Sequence, residues 1–147
     1  MLKDQKIKEI STLGRVFNVD YNTAFKYLAD PNNLPQWALA FNAADEKTAI
    51  LLTPDKSKIE CKMDTISSHD LGVIDWHIYL PDGAVEVAYS RLHRMRDGRC
   101  FYGMSFHVRP VVKSEIKSTL LAQSADVEKE FDILENIFEV IVKNNQL

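Results

Sequence analysis

The stretch GVIDWHIYLPDG places an acid, Asp75, and an imidazole, His77, two residues apart with Trp76 between them. A carboxylate and an imidazole this close could share a metal ion or move protons. His107, further along the chain, is a candidate for a third metal ligand. Glu86 is a second acid candidate, three residues after Gly83. Whether any of these side chains converge depends on the strands and turns that carry them.

Composition restricts the classes of function. Of the 147 residues, 46% are hydrophobic and 27% charged, which predicts a globular chain that forms one domain over 1–147. The 18 basic and 21 acidic residues give a net charge of -3, so nucleic acid is not an expected partner. No apolar stretch approaches the roughly 18 residues of a membrane-spanning helix, so we expect a cytoplasmic protein without stable membrane insertion.

The sequence contains no motif for nucleophilic or cofactor chemistry. Cys61 and Cys100 are far apart, without the spacing of a metal site, and are expected to be free thiols. No serine or cysteine stands in a nucleophile elbow, and there is no glycine-rich phosphate loop. We therefore expect no cofactor.

The first part of the chain predicts one strand and two short helices. Residues 7–19 form a predicted strand around the β-branched and aromatic RVFNV. Asp20 is the predicted cap of a helix over YNTAFKYLA, which ends before Pro31 because the residue preceding a proline avoids the helical region. Asn33 is the predicted cap of a very short second helix in NNLPQWA.

The rest of the chain predicts strands and then one long helix. Turn residues separate six predicted strands, at 38–44, 48–53, 58–67, 72–80, 84–95 and 99–108. Apolar residues from Ile116 to Ile141 then recur mostly three or four apart, which is typical of an amphipathic helix. This order predicts an α+β fold with the helices on one face of an antiparallel sheet.

The stretch VFNVDYNTAFKYLADPNNLPQWA resembles the opening strand, paired helices and tryptophan of the START-like helix-grip (SRPBCC) superfamily, of the polyketide cyclase/dehydrase and lipid-transport type. The Asp-Gly hairpins and the long final helix resemble its second half. The resemblance implies a curved sheet of about seven strands around the C-terminal helix. Because that superfamily includes carriers, receptors, cyclases and chaperone regulators, the fold leaves the function open.

Two turns predict which residues share a face of the sheet. Pro-Asp-Gly and Arg-Asp-Gly suit three-residue loops, which place Leu80 opposite Ala84 and Met95 opposite Arg99. Alternation then assigns these residues to one face: Ile74, Trp76, Ile78, Leu80, Ala84, Glu86, Ala88, Ser90, Leu92, Tyr102, Met104, Phe106 and Val108. The other face receives these: Val73, Asp75, His77, Tyr79, Val85, Val87, Tyr89, Arg91, His93, Phe101, Gly103, Ser105, His107 and Arg109. The first face has one charged residue, Glu86, so we predict that it faces the helix.

Small residues on this inner face, Ala84, Ala88 and Ser90, predict either close approach of the helix or a cavity that holds a small molecule. The predicted ligand-binding residues are Trp37, Trp76, Glu86, Ala88, Ser90, Tyr102, Met104, Phe106, Phe131 and Leu134. The resemblance implies that Trp37 lies on the rim of the cavity and that the helix residues form its floor. The same aromatic and helix residues could instead be ordinary core.

Three hypotheses for the function follow. The first is binding of a hydrophobic or amphipathic small molecule between sheet and helix. The second is a cyclase- or dehydratase-like enzyme in which Glu86 and Tyr102 move protons on a carbonyl-rich substrate. The third is a module that docks a partner, or a second copy in a homodimer, through the final helix or through the outer face at Tyr79, Val85 or Phe101.

A metal site is not predicted. Asp75 and His77 are assigned to the outer face, and Val87 separates His77 from His107 there. Metal sites need ligands that converge on one point. Trp76 is therefore the residue of the DWH stretch that is predicted to face inward.

Overall fold

The order of elements agrees with the sequence prediction. A computed structural model describes residues 9–108 and 112–145. Its strands are β1 (Ile10–Phe17), β2 (Phe41–Ala44), β3 (Thr48–Leu52), β4 (Lys58–Ser68), β5 (Val73–Tyr79), β6 (Val85–Arg94) and β7 (Cys100–His107). The α-helices are α1 (Tyr21–Leu28), α2 (Leu34–Trp37) and α3 (Ile116–Asn145). The start of the predicted first strand, at residues 7 and 8, and Arg109 lie outside the described residues.

The strands form one antiparallel sheet in the order β1-β7-β6-β5-β4-β3-β2. The sheet curls around α3, and the short helices follow β1, so the α+β helix-grip architecture is confirmed. No helix in the described ranges is both long and apolar enough to cross a membrane.

The short helices begin where side chains can satisfy free backbone N–H groups. Asp20 caps α1 as predicted, because its carboxylate accepts the Thr23 N–H at 3.0 Å. Asn33 does not cap α2 in the predicted way. A 3₁₀ helix at Pro31–Asn33 runs directly into α2, and the Asn33 amide instead donates to the carbonyl of Tyr27 at 3.0 Å.

Both predicted hairpin loops are confirmed. The Leu80 N–H donates to the Ala84 carbonyl, and the Met95 N–H donates to the Arg99 carbonyl, each at 2.9 Å. The glycines that close the loops have φ of 91° and 90°, in the left-handed region that favours glycine. The two turns therefore fix the predicted register.

This register places Trp76 opposite Ala88, and Leu92 opposite Tyr102, on the face toward α3. The predicted inner face contains most of the buried side chains of β5, β6 and β7. Two of its predicted members, Ala84 and Glu86, are exposed near the β5–β6 turn.

Asp75 corrects the expectation of a solvated outer-face acid, because its side chain is only 7% exposed. The carboxylate accepts the Ser90 N–H at 3.0 Å and the Arg91 guanidinium at 2.6 Å. A side chain thus takes the place of a backbone acceptor in the β5–β6 ladder. Strand alternation alone cannot reveal such a substitution.

Strand β1 contacts the second half of α3 through aromatic rings and ion pairs. The Phe17 ring makes edge-on contacts with Phe138, at 5.3 Å between centroids, and with Phe131, at 6.1 Å. Arg15 on β1 reaches across to α3 and forms ion pairs with Glu128 at 2.8 Å and Asp132 at 2.7 Å. These contacts hold the helix against the edge strand of the sheet.

Candidate ligand-binding site

Burial changes along the inner face of the sheet. Leu92 on β6 and Tyr102 on β7 are opposite each other and buried, and we call the region around them and Phe17 the closed end. In the other direction along these strands, Ala88 and the pair Met104 and Phe106 are only half-buried. We call the region of Ala88, Met104 and Phe106 the open end.

The helix shows the same gradient. In the described part of α3, buried side chains begin at Val127, although the helix starts at Ile116. That leaves about three turns, or about 16 Å of helix, without a buried side chain. Gln123 in this half donates to the carbonyl of His107 at 3.1 Å, which ties it to the end of β7 beside the open end. The N-terminal half of α3 is therefore joined to the sheet, while the apolar side chains beside it remain partly uncovered.

A group of aromatic side chains surrounds Trp37 in the interior and includes Tyr102 of the closed end. Helix α2 carries Trp37 inward, where its ring centroid is 6.0 Å from that of Trp76 and 6.2 Å from that of Tyr102. The two tryptophans are each 1% exposed, and Tyr102 is fully buried. Thr65 on β4 is the partner of Trp76 in the next strand. We call Trp37, Thr65, Trp76 and Tyr102 the donor cluster.

The polar atoms of the donor cluster are buried without hydrogen-bond partners among the described protein groups. They are the Nε1 atoms of Trp37 and Trp76, the hydroxyl of Thr65 and the hydroxyl of Tyr102. Buried polar groups in proteins are nearly always paired, because desolvation without a partner costs about 1–3 kcal/mol each. Such a group of unpaired atoms is typical of a place where a ligand or water is bound.

Glu130 on α3 is a further acid of the interior that the sequence analysis did not select. Its side chain is 9% exposed, and its Oε2 accepts the Leu39 N–H at 2.7 Å. Burial raises the pKa of the Glu130 carboxyl to about 7; the Leu39 N–H opposes the rise, and Asp126 adds to it. The signal was present in the sequence, because Glu130 lies three residues after Val127 and four before Leu134, on the apolar stripe.

Electrostatics connect Glu130 with the donor cluster. Burial raises the pKa of the Tyr102 phenol well above its ordinary value, and the carboxyls of Glu130 and Asp75 act in the same direction. The Ser90 hydroxyl, a hydrogen-bonding neighbour of the phenol, opposes the rise in that pKa, and its effect is smaller than that of burial but larger than that of either carboxyl. Ser90 itself donates its hydroxyl proton to the carbonyl of Ile74. Tyr102 is therefore a neutral hydrogen-bonding group at physiological pH.

The remaining predicted site residues divide between core and surface. Phe131 and Leu134 are fully buried, and Phe131 contacts Tyr102 edge-on with ring centroids 6.3 Å apart. Glu86 is exposed near the start of β6, away from the buried part of the inner face. The binding roles of these residues, and the catalytic role considered for Glu86, stay predictions.

The outer face contains the other predicted candidates. His77 is half-buried and His107 exposed, and the described residues contain no group of three His, Cys, Asp or Glu side chains that could hold a metal ion. Tyr79 and Val85 are 38% and 52% exposed. Phe101 is half-buried, with its ring over Gly14, where a Cβ would be 2.1 Å from Phe101 Cζ.

Comparison with known proteins identifies the fold. No protein-family model and no curated protein sequence matches this chain. A START superfamily protein from Mycobacterium smegmatis superimposes with a TM-score of 0.64 at 10% sequence identity, over 91% of this chain and 99% of that protein. The chain has the START-like helix-grip fold.

Two further structures support the same fold. A protein of unknown function from Staphylococcus aureus has a TM-score of 0.65 at 13% identity, with 91% of this chain and 95% of that one covered. The protein XoxI from Bacillus cereus has a TM-score of 0.63 at 11% identity, with coverage of 89% and 96%. At these identities the likeness concerns the helix-grip fold, and function must be argued from the site.

Proposed function

We propose that the protein binds a hydrophobic or amphipathic small molecule between the inner face of the sheet and the N-terminal half of α3. The observation that carries this proposal is the open end, where Ala88, Met104 and Phe106 of the sheet are only half-buried and the described part of α3 before Val127 has no buried side chain. A bound molecule would remove this apolar surface from water, which contributes about 25 cal/mol for each Å².

Ala88 gives the proposal a specific test. It lies on the inner face opposite Trp76 and is half-buried, so a larger side chain there would occupy the space assigned to the ligand. We expect Ala88→Phe to weaken binding of the neutral fluorescent probe N-phenyl-naphthylamine by about tenfold or more. The measurement is the rise in probe fluorescence during titration with protein.

Val85→Phe is the matched control, because Val85 is on the same strand but exposed on the outer face. It should bind the probe as tightly as the native chain. Native chain that does not bind the probe, or equal loss in both variants, would contradict the proposal. Circular dichroism of both variants establishes that each one is folded.

Glu130 favours a second candidate function, proton transfer on a carbonyl compound. A buried carboxyl that titrates near pH 7 beside a neutral phenol is suited to general acid–base catalysis. This hypothesis assigns to Glu130 the role that the sequence analysis considered for the exposed Glu86.

In D₂O, Glu130 would take a proton from the carbon next to the carbonyl of methyl hexyl ketone, and a deuteron from solvent would then replace it. Deuterium incorporation, followed by NMR, should exceed that in buffer alone and disappear in Glu130→Gln. Equal rates in the native chain, the variant and buffer would leave binding as the function.

A further inference from the structure

The donor cluster defines what kind of group the interior can hold. Its four polar atoms come from α2, β4, β5 and β7 and are the buried side-chain atoms without a hydrogen-bond partner in the described part of the chain. Their concentration around one set of ring contacts, rather than across the sheet, indicates a common cause.

The chemistry of these atoms favours an acceptor. The two indole Nε1 atoms of Trp37 and Trp76 can only donate hydrogen bonds, and the hydroxyls of Tyr102 and Thr65 can also donate. A carbonyl oxygen carries lone pairs and no proton, so it accepts hydrogen bonds from these groups and brings no donor of its own. A hydrocarbon in the same place would leave all of them unpaired.

The charges near the donor cluster disfavour an anion. Glu130 and Asp75 are the carboxyls that act on Tyr102, and Glu130 is buried. Asp75 is paired with Arg91, so that guanidinium is already engaged by a carboxylate. A ligand carboxylate at the donor cluster would be repelled by ionised Glu130 in a medium that screens charge poorly.

We propose that the donor cluster binds the carbonyl oxygen of a neutral apolar ligand, such as a ketone or an ester, whose hydrocarbon part extends toward the open end. This inference rests on the proposed function, and it adds the chemical class of the ligand. Trp37, Trp76 and Tyr102 hold the carbonyl oxygen, while Ala88, Met104 and Phe106 contact the hydrocarbon part.

Three small probes test the inference directly. They are methyl hexyl ketone, the isosteric alkene in which a methylene group replaces the carbonyl oxygen, and heptanoate, which carries a carboxylate instead. The chain has two tryptophans, so proton–nitrogen correlation spectra contain two indole signals, from Trp37 and Trp76. We expect the ketone to bind about tenfold more tightly than the alkene and to move both indole signals downfield. Heptanoate should bind more weakly than the ketone above pH 7.

Tyr102→Phe removes one donor and keeps the ring. It should reduce the preference for ketone over alkene by about threefold or more while leaving alkene binding unchanged. Tyr79→Phe is the matched control, since the Tyr79 hydroxyl is on the outer face and donates to Asp64 at 3.0 Å. Trp37→Phe removes a second donor and should reduce the same preference.

The outcomes separate the inference from the proposed function. If ketone and alkene bind equally and the indole signals do not move with the ketone, the donor cluster holds water instead, and the inference is overturned while ligand binding stands. A preference that survives both Tyr102→Phe and Trp37→Phe also overturns it. If none of these probes nor the naphthylamine binds, the proposed function fails and the inference fails with it.

Discussion

The two ends of the sheet–helix interface differ although the same strands and the same helix build both. At the closed end, Phe17 contacts Phe131 and Phe138 edge-on, and Arg15 fastens β1 to carboxylates of α3. At the open end, Met104 and Phe106 are half-buried, and the first three turns or so of α3 bury no side chain in the described residues.

Under the proposed function, this difference divides the interface into a part that contributes to stability and a part that binds the ligand. A side chain packed on all sides contributes to folding through the water it excludes and the contacts it makes. A half-buried apolar side chain contributes less to folding and has surface left for a ligand. The donor cluster and Glu130 are buried in the interior, and under the proposed function their polar atoms meet the ligand away from bulk water.

The largest expected effect is a loss of folding stability from a substitution at the closed end. Phe131→Ala should lower the free energy of unfolding by about 3–5 kcal/mol, because it removes a fully buried ring from contacts with Phe17 and Tyr102. Met104→Ala at the open end should cost about 1 kcal/mol, since Met104 is half-buried. Urea unfolding followed by circular dichroism measures both. Similar losses in the two variants would remove the distinction between the ends.

The next effect concerns Glu130, the buried acid of α3. The Glu130 carboxyl has an ordinary pKa of 4.5, raised to about 7 in the folded chain mainly by burial. Between these two values the unfolded chain has released a proton that the folded chain retains, so stability falls as pH rises through this window and then levels off. Glu130→Gln cannot ionise but keeps an oxygen for the Leu39 N–H.

We therefore expect Glu130→Gln to be more stable than the native chain by about 3 kcal/mol above pH 7, and nearly equal to it below pH 4.5. Urea unfolding over a series of pH values gives both limits. Glu139→Gln is the matched control, an exposed glutamate of α3 paired with Lys143, and its difference from the native chain should change little with pH. A pH-independent effect of Glu130→Gln would mean that its carboxyl is solvated.

The smallest effect concerns the ion pairs of the closed end. Arg15→Gln should lower stability by about 0.5–1 kcal/mol at low salt, because Glu128 and Asp132 are themselves more than half exposed. The loss should shrink at about 1 M salt, where charges on the surface are screened. Arg96→Gln, at an exposed position in the β6–β7 turn, is the control. The guanidinium carbon of Arg15 also lies 5.5 Å from the centre of the Phe131 ring. If the loss of stability does not depend on salt, Arg15 stabilises the fold mainly by packing over this ring rather than by its ion pairs.

Much of the fold could be predicted from local sequence signals. The Asp20 cap, the two Asp-Gly loops and the three-to-four spacing of the last helix act over a few residues, so a single sequence reveals them. The loops also placed Trp76 and Tyr102 on the inner face correctly. Asn33 stands at the N-cap of α2 as predicted but makes no capping hydrogen bond, and the prediction of a solvated Asp75 was wrong. In both cases the side chain hydrogen-bonds to a group that the local pattern does not specify.

The candidate site was harder to predict from the sequence than the fold. Trp37, Trp76 and Tyr102 were selected as ligand-binding residues, but nothing in the sequence shows that their polar atoms lack partners. Glu130 was missed because a glutamate in a long amphipathic helix is usually solvated. Its burial depends on α2, which brings the Leu39 N–H within 2.7 Å of the carboxylate.

The sequence by itself determined the strands, the turns, the register of the last hairpins and the amphipathic helix, because these depend on residues close together in the chain. Only the tertiary structure decided that the interface is closed at one end and open at the other, and that an acid and four unpaired polar atoms lie in its interior. The reason is physical: burial and pairing depend on atoms that elements distant in sequence bring together. Leu39 and Glu130 are 91 residues apart and joined by one hydrogen bond.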